Sequence, residues 1–456
     1  MPYRSFKSQW DPVAIATVVL LAFSVVFGGA SREHAFRLAL VELAALPLLV
    51  LGLSRLIRDP DWCRHRLALG LLAALTALPL VQLIPLPPAL WTNLAGRQDM
   101  VLALELAGLQ PGWTPLSVTP DLTWQAFLAL LPPAAMFIAI LSSSQIQTSR
   151  TVGLYLIVAV ASLLLGLIQA AAGDNNLHVW ATTRAGTIAG LFANRNHLAT
   201  LLLSMIPFAV VMGAATLRRQ NQGGITLWLS ALFLGLVIVG LALIRSRAGI
   251  ILAPPVLILS LLASWIATGR RRPGPALISL MGAGAVAIGI VAVLALPPIL
   301  ARFEDASVRE ERFEAWPIVA SAADAYLPLG SGIGSFDAVY RSVEPLEQLE
   351  PLYYNHAHNE YLETWLEAGW PGAALILAFL IWYGRRLWVV WREGPSRERD
   401  MQRAASIAIL VMIVHSGVDY PLRTATLAVL FALCAAILEQ AVLPAEPKPK
   451  TKRRSA

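Results

Sequence analysis

Charge is what this 456-residue chain has least of. Asp, Glu, Lys and Arg make up 14% of it while 57% of its residues are hydrophobic. Soluble domains carry about 25% charged residues. A chain this poor in polar groups cannot cover a soluble fold, and its mean hydropathy of +0.64 agrees. Composition therefore excludes a secreted or cytosolic globular enzyme, a disordered chain and a fibrous protein. Cysteine is nearly absent too. Cys63 falls in a basic loop and Cys434 in an apolar run, and two such residues build neither a disulfide framework nor a metal-binding spacing. The formal charge is +7. Most basic residues sit in short loops between apolar runs, so this excess reports membrane topology rather than nucleic-acid binding.

What the chain does have is long apolar runs. They occupy about 13–29, 36–53, 67–86, 124–142, 151–172, 197–217, 225–244, 249–268, 276–300, 372–392, 404–421 and 424–443. A membrane-spanning helix needs about 20 apolar residues, and most of the runs match. The first is read as a retained helix rather than a cleaved leader, because further spans follow at once. The expected fold is an all-α integral membrane protein of about 12 transmembrane helices. Pro132-Pro133, Pro207 and Pro254-Pro255 interrupt runs, as packing kinks or as breaks lining a wet cavity. With the N-terminus inside, 23 of the 35 Lys and Arg fall in inner segments and 12 in outer ones. This bias puts both termini in the cytoplasm.

Two outer segments are long. Residues 87–123 are Pro-rich with little charge, and residues 301–371 hold 13 of the 28 acidic residues. An insertion of the second size is rarely featureless. Phe313, Trp316, Ala320, Ala323 and Leu327 recur there at helical spacing. Leu362, Trp365 and Leu366 do so again up to Gly369, a helix-stop residue. Two amphipathic helices at the outer surface are expected between spans 9 and 10. The Pro- and Lys-rich tail, 444–456, reads as a disordered basic end.

Several outer residues can carry chemistry. Arg184, Arg195, Arg245, Arg247 and Arg423 stand at helix ends on the side that the positive-inside tendency disfavours. Arg245-Ser246-Arg247-Ala248-Gly249 makes a tight turn between two spans, and two guanidiniums there repel unless an anion lies between them. Arginine suits phosphate oxygens through its bidentate geometry; snorkelling to lipid head groups is the alternative. His356-Ala357-His358-Asn359-Glu360 opens a short helix. Its two histidines do not share a helical face, so no metal site is expected. Asn194, in Gly190 to His197, is placed to cap a helix start, and Asn194 and Asn196 can hold a sugar or phosphate. Gly330-Ser331-Gly332-Ile333-Gly334 lacks the lysine of a phosphate loop and reads as a flexible outer turn.

Taken together these residues resemble the O-antigen ligase family, which includes O-antigen polymerases and bacterial protein O-oligosaccharyltransferases. The most specific match is His358-Asn359, nine residues, then Gly369-Trp370-Pro371-Gly372. It is similar to the family's periplasmic signature. Gly190 to Ala199, Ser246 to Gly249, Pro328 to Phe336, Leu116 to Pro120 and, more loosely, His415 to Arg423 support it. Where Arg195 stands the family often has proline.

The resemblance implies a bacterial inner-membrane glycosyltransferase whose active site faces the periplasm. Its organisation would be a cytoplasmic N-terminus (1–12), helices 1–9 (13–300), a large helical periplasmic loop (301–371), helices 10–12 (372–443) and a cytoplasmic tail (444–456). The donor would be a glycan on undecaprenyl diphosphate. The acceptor would be a lipid A-core sugar, a growing glycan, or a protein hydroxyl. Diphosphate leaves readily once its charge is neutralised, so fixed arginines suffice and neither metal nor other cofactor is expected. Imidazoles titrate near neutrality and suit general-base work. On this reading His358 is the base of an inverting transfer, Arg247 and Arg184 clamp the diphosphate, and Arg195 and Arg423 assist. Asn359 orients the loop or binds sugar, and Gly369 and Gly372 shape the turn into the span. Ligase is the expected branch, with polymerase and protein glycosylation as alternatives. A transporter is the reading from a different class, but the spans carry few midplane charges.

Overall fold

The structure, a computed structural model, describes residues 11–31, 35–172, 177–181, 183, 187–217, 224–268, 282, 289, 311–346 and 354–440. The described helices are α1 (Pro12–Phe27), α2 (Ala35–Arg58), α3 (Arg66–Gln82), α4 (Pro88–Trp91), α5 (Gln98–Leu106), α6 (Pro120–Leu128), α7 (Leu131–Leu141) and α8 (Gln145–Ala171). They continue as α9 (Arg195–Leu217), α10 (Gly224–Ile244), α11 (Arg247–Thr268), α12 (Glu311–Ala325), α13 (Phe336–Val343), α14 (Glu360–Arg392), α15 (Arg397–His415) and α16 (Ala425–Glu439). Seven candidate spans among the described residues are long and apolar enough to cross a membrane. Three shorter apolar helices accompany them: α1, Trp228–Ile244 and α16. The chain is a multi-pass membrane protein. Seven is fewer than the twelve spans expected. Of the twelve runs, all but 276–300 fall on described helices; that one lies outside the described residues apart from 282 and 289.

Helix ends follow local chemistry. Asp11 accepts from the Val13 N–H to start α1, and Ser144 with Gln147 forms a reciprocal capping box on α8. Such caps satisfy backbone donors that a helix leaves unpaired. Two of the proline sites do not end their helices, since α9 runs on through Pro207 and α11 through Pro254 and Pro255; Pro132-Pro133 instead stands in the first turn of α7, just after α6 ends at Leu128. Pro207 is buried among neighbouring helices, whereas Pro254 is half-buried and Pro255 exposed. α9 is the hub, 89% buried within its apolar window, and packs against α8, α10, α11 and α15. A second group joins α1, α2, α7 and α16.

A second, smaller core forms around α12 and α13. Ala315, Val319 and Ala323 of α12 meet Phe336, Val339 and Tyr340 of α13 and Leu366 of α14. The helical pattern expected at Phe313 to Ala323 is thus α12. The stretch Gly330 to Gly334 corrects an expectation: it is a packed loop, not a flexible turn. Ser331 and Ser335 are fully buried. Gly330, Gly332 and Gly334 all have positive φ, which glycine tolerates without strain. That geometry turns the loop's N–H groups inward. Ser331 N–H donates to the Leu366 carbonyl, Gly332 N–H to the Glu367 carbonyl, and Gly334 N–H to the Glu367 carboxylate. From the other side Gln82 accepts from the Ile333 N–H and donates to the Glu367 carbonyl. Leu116 to Pro120 meets the same loop, with Val118 N–H on the Ser331 carbonyl.

α14 bends at Gly369, where φ is 51° and ψ is −140°. The helix stop expected there is real, but it is a joint within one element rather than an end. Trp365 and Trp370 pack edge to face across it, 4.9 Å apart. A Cβ on Gly369 would lie 2.3 Å from the Pro328 carbonyl oxygen. Gly369→Ala should therefore cost about 1–3 kcal/mol from the backbone conformation alone, with the clash added. A lowered thermal midpoint in detergent checks this; an unchanged midpoint would mean the joint is not under that constraint.

Candidate active site

One buried carboxylate draws two distant segments onto its own. Asp419 lies between α15 and the 3-10 turn at Pro421–Arg423 and is 1% exposed. Its Oδ1 is 3.3 Å from His358 Nδ1 and accepts from the Tyr420 N–H at 2.9 Å. Asn194 Nδ2 donates to both carboxylate oxygens at 3.3 and 3.2 Å, and Asn196 Nδ2 donates to Oδ2. His197 Nε2 stands 3.9 Å away. Burial alone would raise the pKa of Asp419. The hydrogen bond from His358 and the positive potential of His358, His197 and His415 outweigh it and hold the group well below the usual carboxylate range. Asp419 is therefore an anion at neutral pH.

The asparagines each do two jobs. Asn194 Oδ1 accepts from the Asn196 N–H at 2.8 Å, opening α9 as the sequence suggested, while its amide holds Asp419. Asn196 accepts from Ser246 Oγ at 2.8 Å. Ser246 sits in the turn between α10 and α11 and also accepts from the Gly249 N–H. Thus the Arg245–Gly249 turn, the start of α9, Asp419 and His358 form one hydrogen-bonded chain.

His358 and Arg245 are the non-glycine residues with positive φ among those described, at 50° and 55°. Such backbone geometry is uncommon outside glycine and clusters at functional sites. Here the strain falls at both ends of that chain. Arg195 and Arg247 open α9 and α11, two helices packed on each other. Their positive dipole ends add to the two guanidiniums at this end of the bundle. Arg184 lies outside the described residues.

A second network carries the acidic residues of α14. Glu360, Glu363 and Glu367 are buried and share one helix face. Glu360 accepts from the Leu422 and Arg423 N–H groups at 2.7 and 3.1 Å. Glu363 accepts from the Ala357 N–H at 3.0 Å, and its Oε1 is 2.8 Å from His356 Nδ1. Arg423 reaches Glu367 at 2.9 Å and Glu363 at 3.5 Å. Burial would lower the pKa of Arg423, but Glu363, Glu367 and Glu360 together raise it above the usual arginine value. The two histidines of the His356–His358 pair therefore go to different carboxylates. Asn359 caps α14, accepting from the Tyr361 and Leu362 N–H groups at 3.1 Å. A Cβ on Gly372 would come within 2.7 Å of Ala368 Cβ and 2.8 Å of Thr364 Cγ2.

Sequence reasoning missed Tyr420. Its ring lies 5.0 Å from His197, 4.4 Å from His356 and 4.8 Å from His358. It fills the space that positions the three imidazoles. The looser motif from His415 to Arg423 contained it, but nothing in its spacing marks an aromatic as central. Asp419 lay in the same stretch without a role.

Fold and site together define a multi-pass helical membrane protein with an imidazole–carboxylate pair beside helix-borne arginines at one end of the bundle. A family model for O-antigen ligase matches residues 231–377. The match covers about a third of the chain and supports membership of the O-antigen ligase family, whose members are ligases and polymerases of the glycosyltransferase type. The matched residues include Arg247, His358, Gly369 and Gly372, and leave out Asn194, Asn196, Asp419 and Arg423. No curated protein matches the chain.

Removing Arg423 would leave Glu363 and Glu367 buried without their cation. Breaking a buried ion pair from one side costs roughly 3–5 kcal/mol. Arg423→Met should lower the thermal midpoint strongly, and Glu367→Gln introduced beside it should recover part of the loss. Full stability of the single variant would show that the carboxylates do not depend on this guanidinium.

Proposed function

We propose that the chain transfers a glycan from undecaprenyl diphosphate to an acceptor hydroxyl on the periplasmic side of the bacterial inner membrane, as an O-antigen ligase acting on lipid A-core. The observation that carries this reading is His358 held by Asp419 within one hydrogen-bonded chain that ends beside Arg247.

The chemistry follows from the tautomer. An ionised Asp419 favours a proton on His358 Nδ1, so Nε2 keeps its lone pair and can accept one. This is the orienting logic of a carboxylate behind a catalytic imidazole. The acceptor oxygen forms its bond to the anomeric carbon as the bond from that carbon to the diphosphate oxygen breaks. The hydroxyl proton goes to His358 Nε2 and the bonding electrons to the diphosphate. Attack opposite the leaving group inverts the anomeric centre. Negative charge then grows on the diphosphate, where Arg247 and Arg195 and the N-termini of α9 and α11 favour it. Arg184 is assigned to the same clamp from its place in the sequence. Arg423, already paired to two carboxylates, is assigned to holding α14 in register with Asp419. Asn359 and Gly369 set the position of His358 through the cap and joint of α14.

A positioned general base contributes about 10²–10⁴-fold in rate. His358→Ala should lower transfer by that order in reconstituted membranes while the protein still inserts and folds. Asp419→Asn should lose a large part of the same factor, because its amide no longer selects the Nδ1–H tautomer. Near-normal transfer by the His358 variant would remove the base from the scheme. Arg247→Lys keeps the charge and loses the fork. Loss of one charged hydrogen bond predicts on the order of tenfold weaker donor binding, read by titration with lipid-linked glycan. Unchanged affinity would reduce Arg247 to a source of potential. Deleting the protein should leave long chains on the carrier, unattached to lipid A-core; single repeat units would instead indicate polymerisation.

A further inference from the structure

The segment between α3 and α6 presents an apolar surface that none of the described residues covers. α5 buries none of its residues. Leu102, Leu106, Leu109 and Trp113 are exposed, Leu106 to 81%, Leu109 to 58% and Trp113 to 68%. From Met100 to Pro120 the one charged residue is Glu105. A patch of this kind rarely faces water.

The opposite side of the same segment is fixed to the protein, which determines the direction the patch faces. Trp91 is fully buried, and its Nε1–H donates to the Gly112 carbonyl at 2.8 Å. Arg97 is buried too, donates to the Leu116 carbonyl and lies 5.7 Å from the Tyr326 ring that follows α12. A Cβ at Gly96 would come within 2.6 Å of that ring. Pro85–Leu86 pairs antiparallel with Thr114–Pro115 and closes the neck. Leu106 to Trp113 thus forms the tip and outer side of a hairpin stapled by its inner side.

Both ends of the hairpin belong to candidate spans, since α3 ends at Gln82 and α6 begins at Pro120. The exposed apolar surface continues onto those spans through Val81 and Ile84. α3 packs against both α6 and α14, and exposed tryptophans stand on each side: Trp113, Trp124 of α6 and Trp370 of α14. Tryptophan collects where hydrocarbon meets water, an environment that suits these exposed rings.

We propose that residues 98–113 seat in the interface of the bilayer leaflet on the side of the active site, as an apolar float that holds the loop beneath α12 against the lipid surface. The occupant is lipid rather than a second copy, because the patch is continuous with the lipid-facing sides of α3 and α6 and carries the interfacial tryptophan. This surface does not depend on what reaction the site performs.

The test uses the full chain with Cys63→Ser and Cys434→Ala, reconstituted in phosphatidylcholine–phosphatidylglycerol vesicles. Single thiols at Leu106→Cys, Leu109→Cys and Trp113→Cys carry a fluorophore. Ile258→Cys on α11 serves as the lipid-facing control and Ser321→Cys on α12 as the aqueous one. Interfacial seating predicts quenching by brominated lipid at 106, 109 and 113 about threefold or more above that at 321, and weak quenching by iodide. Strong iodide quenching with none by brominated lipid would overturn the proposal. So would shielding from both quenchers that is lost on dilution into excess lipid, since that marks a second copy. All three positions are exposed, so the substitutions remove no core contact.

Discussion

The carboxylate of Asp419 is the constraint on which the rest of this molecule's site depends. A buried anion is costly unless it is fully hydrogen-bonded, and this one draws donors from α9, from the loop before α14 and from its own backbone. The side-chain donors arrive from two segments distant in sequence, so the ends of the helices must converge before the charge can be accommodated. Folding and assembly of the site are therefore one event. The left-handed backbone at His358 and Arg245 is sustained because the network over-determines both places.

The second buried network does for α14 what Asp419 does for the imidazole. Glu360, Glu363 and Glu367 point one helix face at the turn that carries Arg423. Glu367 also holds the glycine loop through Gly334 and Phe336 N–H groups, and Glu363 shapes the chain just before His358 through Ala357. One helix thus has a charged, internally paired first half and an apolar second half, jointed at Gly369. The first half belongs to the site and the second to the bilayer. His358, just before this element, is thereby held by structure that runs on into a candidate span.

Much of this was legible in the residues. Apolar runs marked the helices because hydrocarbon leaves the backbone no other partner than itself. His358 with Gly369 marked the site, and Asn194 marked the start of α9, because caps and joints are local chemistry. Other features were not. The glycine loop read as loose because its partners, Gln82 and Glu367, are far away in sequence. Glu360 and Glu363 have no partner in view along the sequence, whereas the tertiary structure gives them to Arg423, Ser416 and His356. Arg423 itself read as a cation for an anionic ligand, since a sequence does not show that two carboxylates already occupy it.

By itself the sequence determined that this is a helical membrane protein, where its helices begin and bend, and which end of the bundle carries arginines and histidines. These follow from hydropathy, capping and charge, all of which act over a few residues. The tertiary structure alone decided which carboxylate serves which imidazole. It set His358 on Asp419 and His356 on Glu363, two residues apart in the chain yet committed to different networks. The reason is that a buried charge chooses its partners by position in space, and 61 residues separate His358 from the group that orients it.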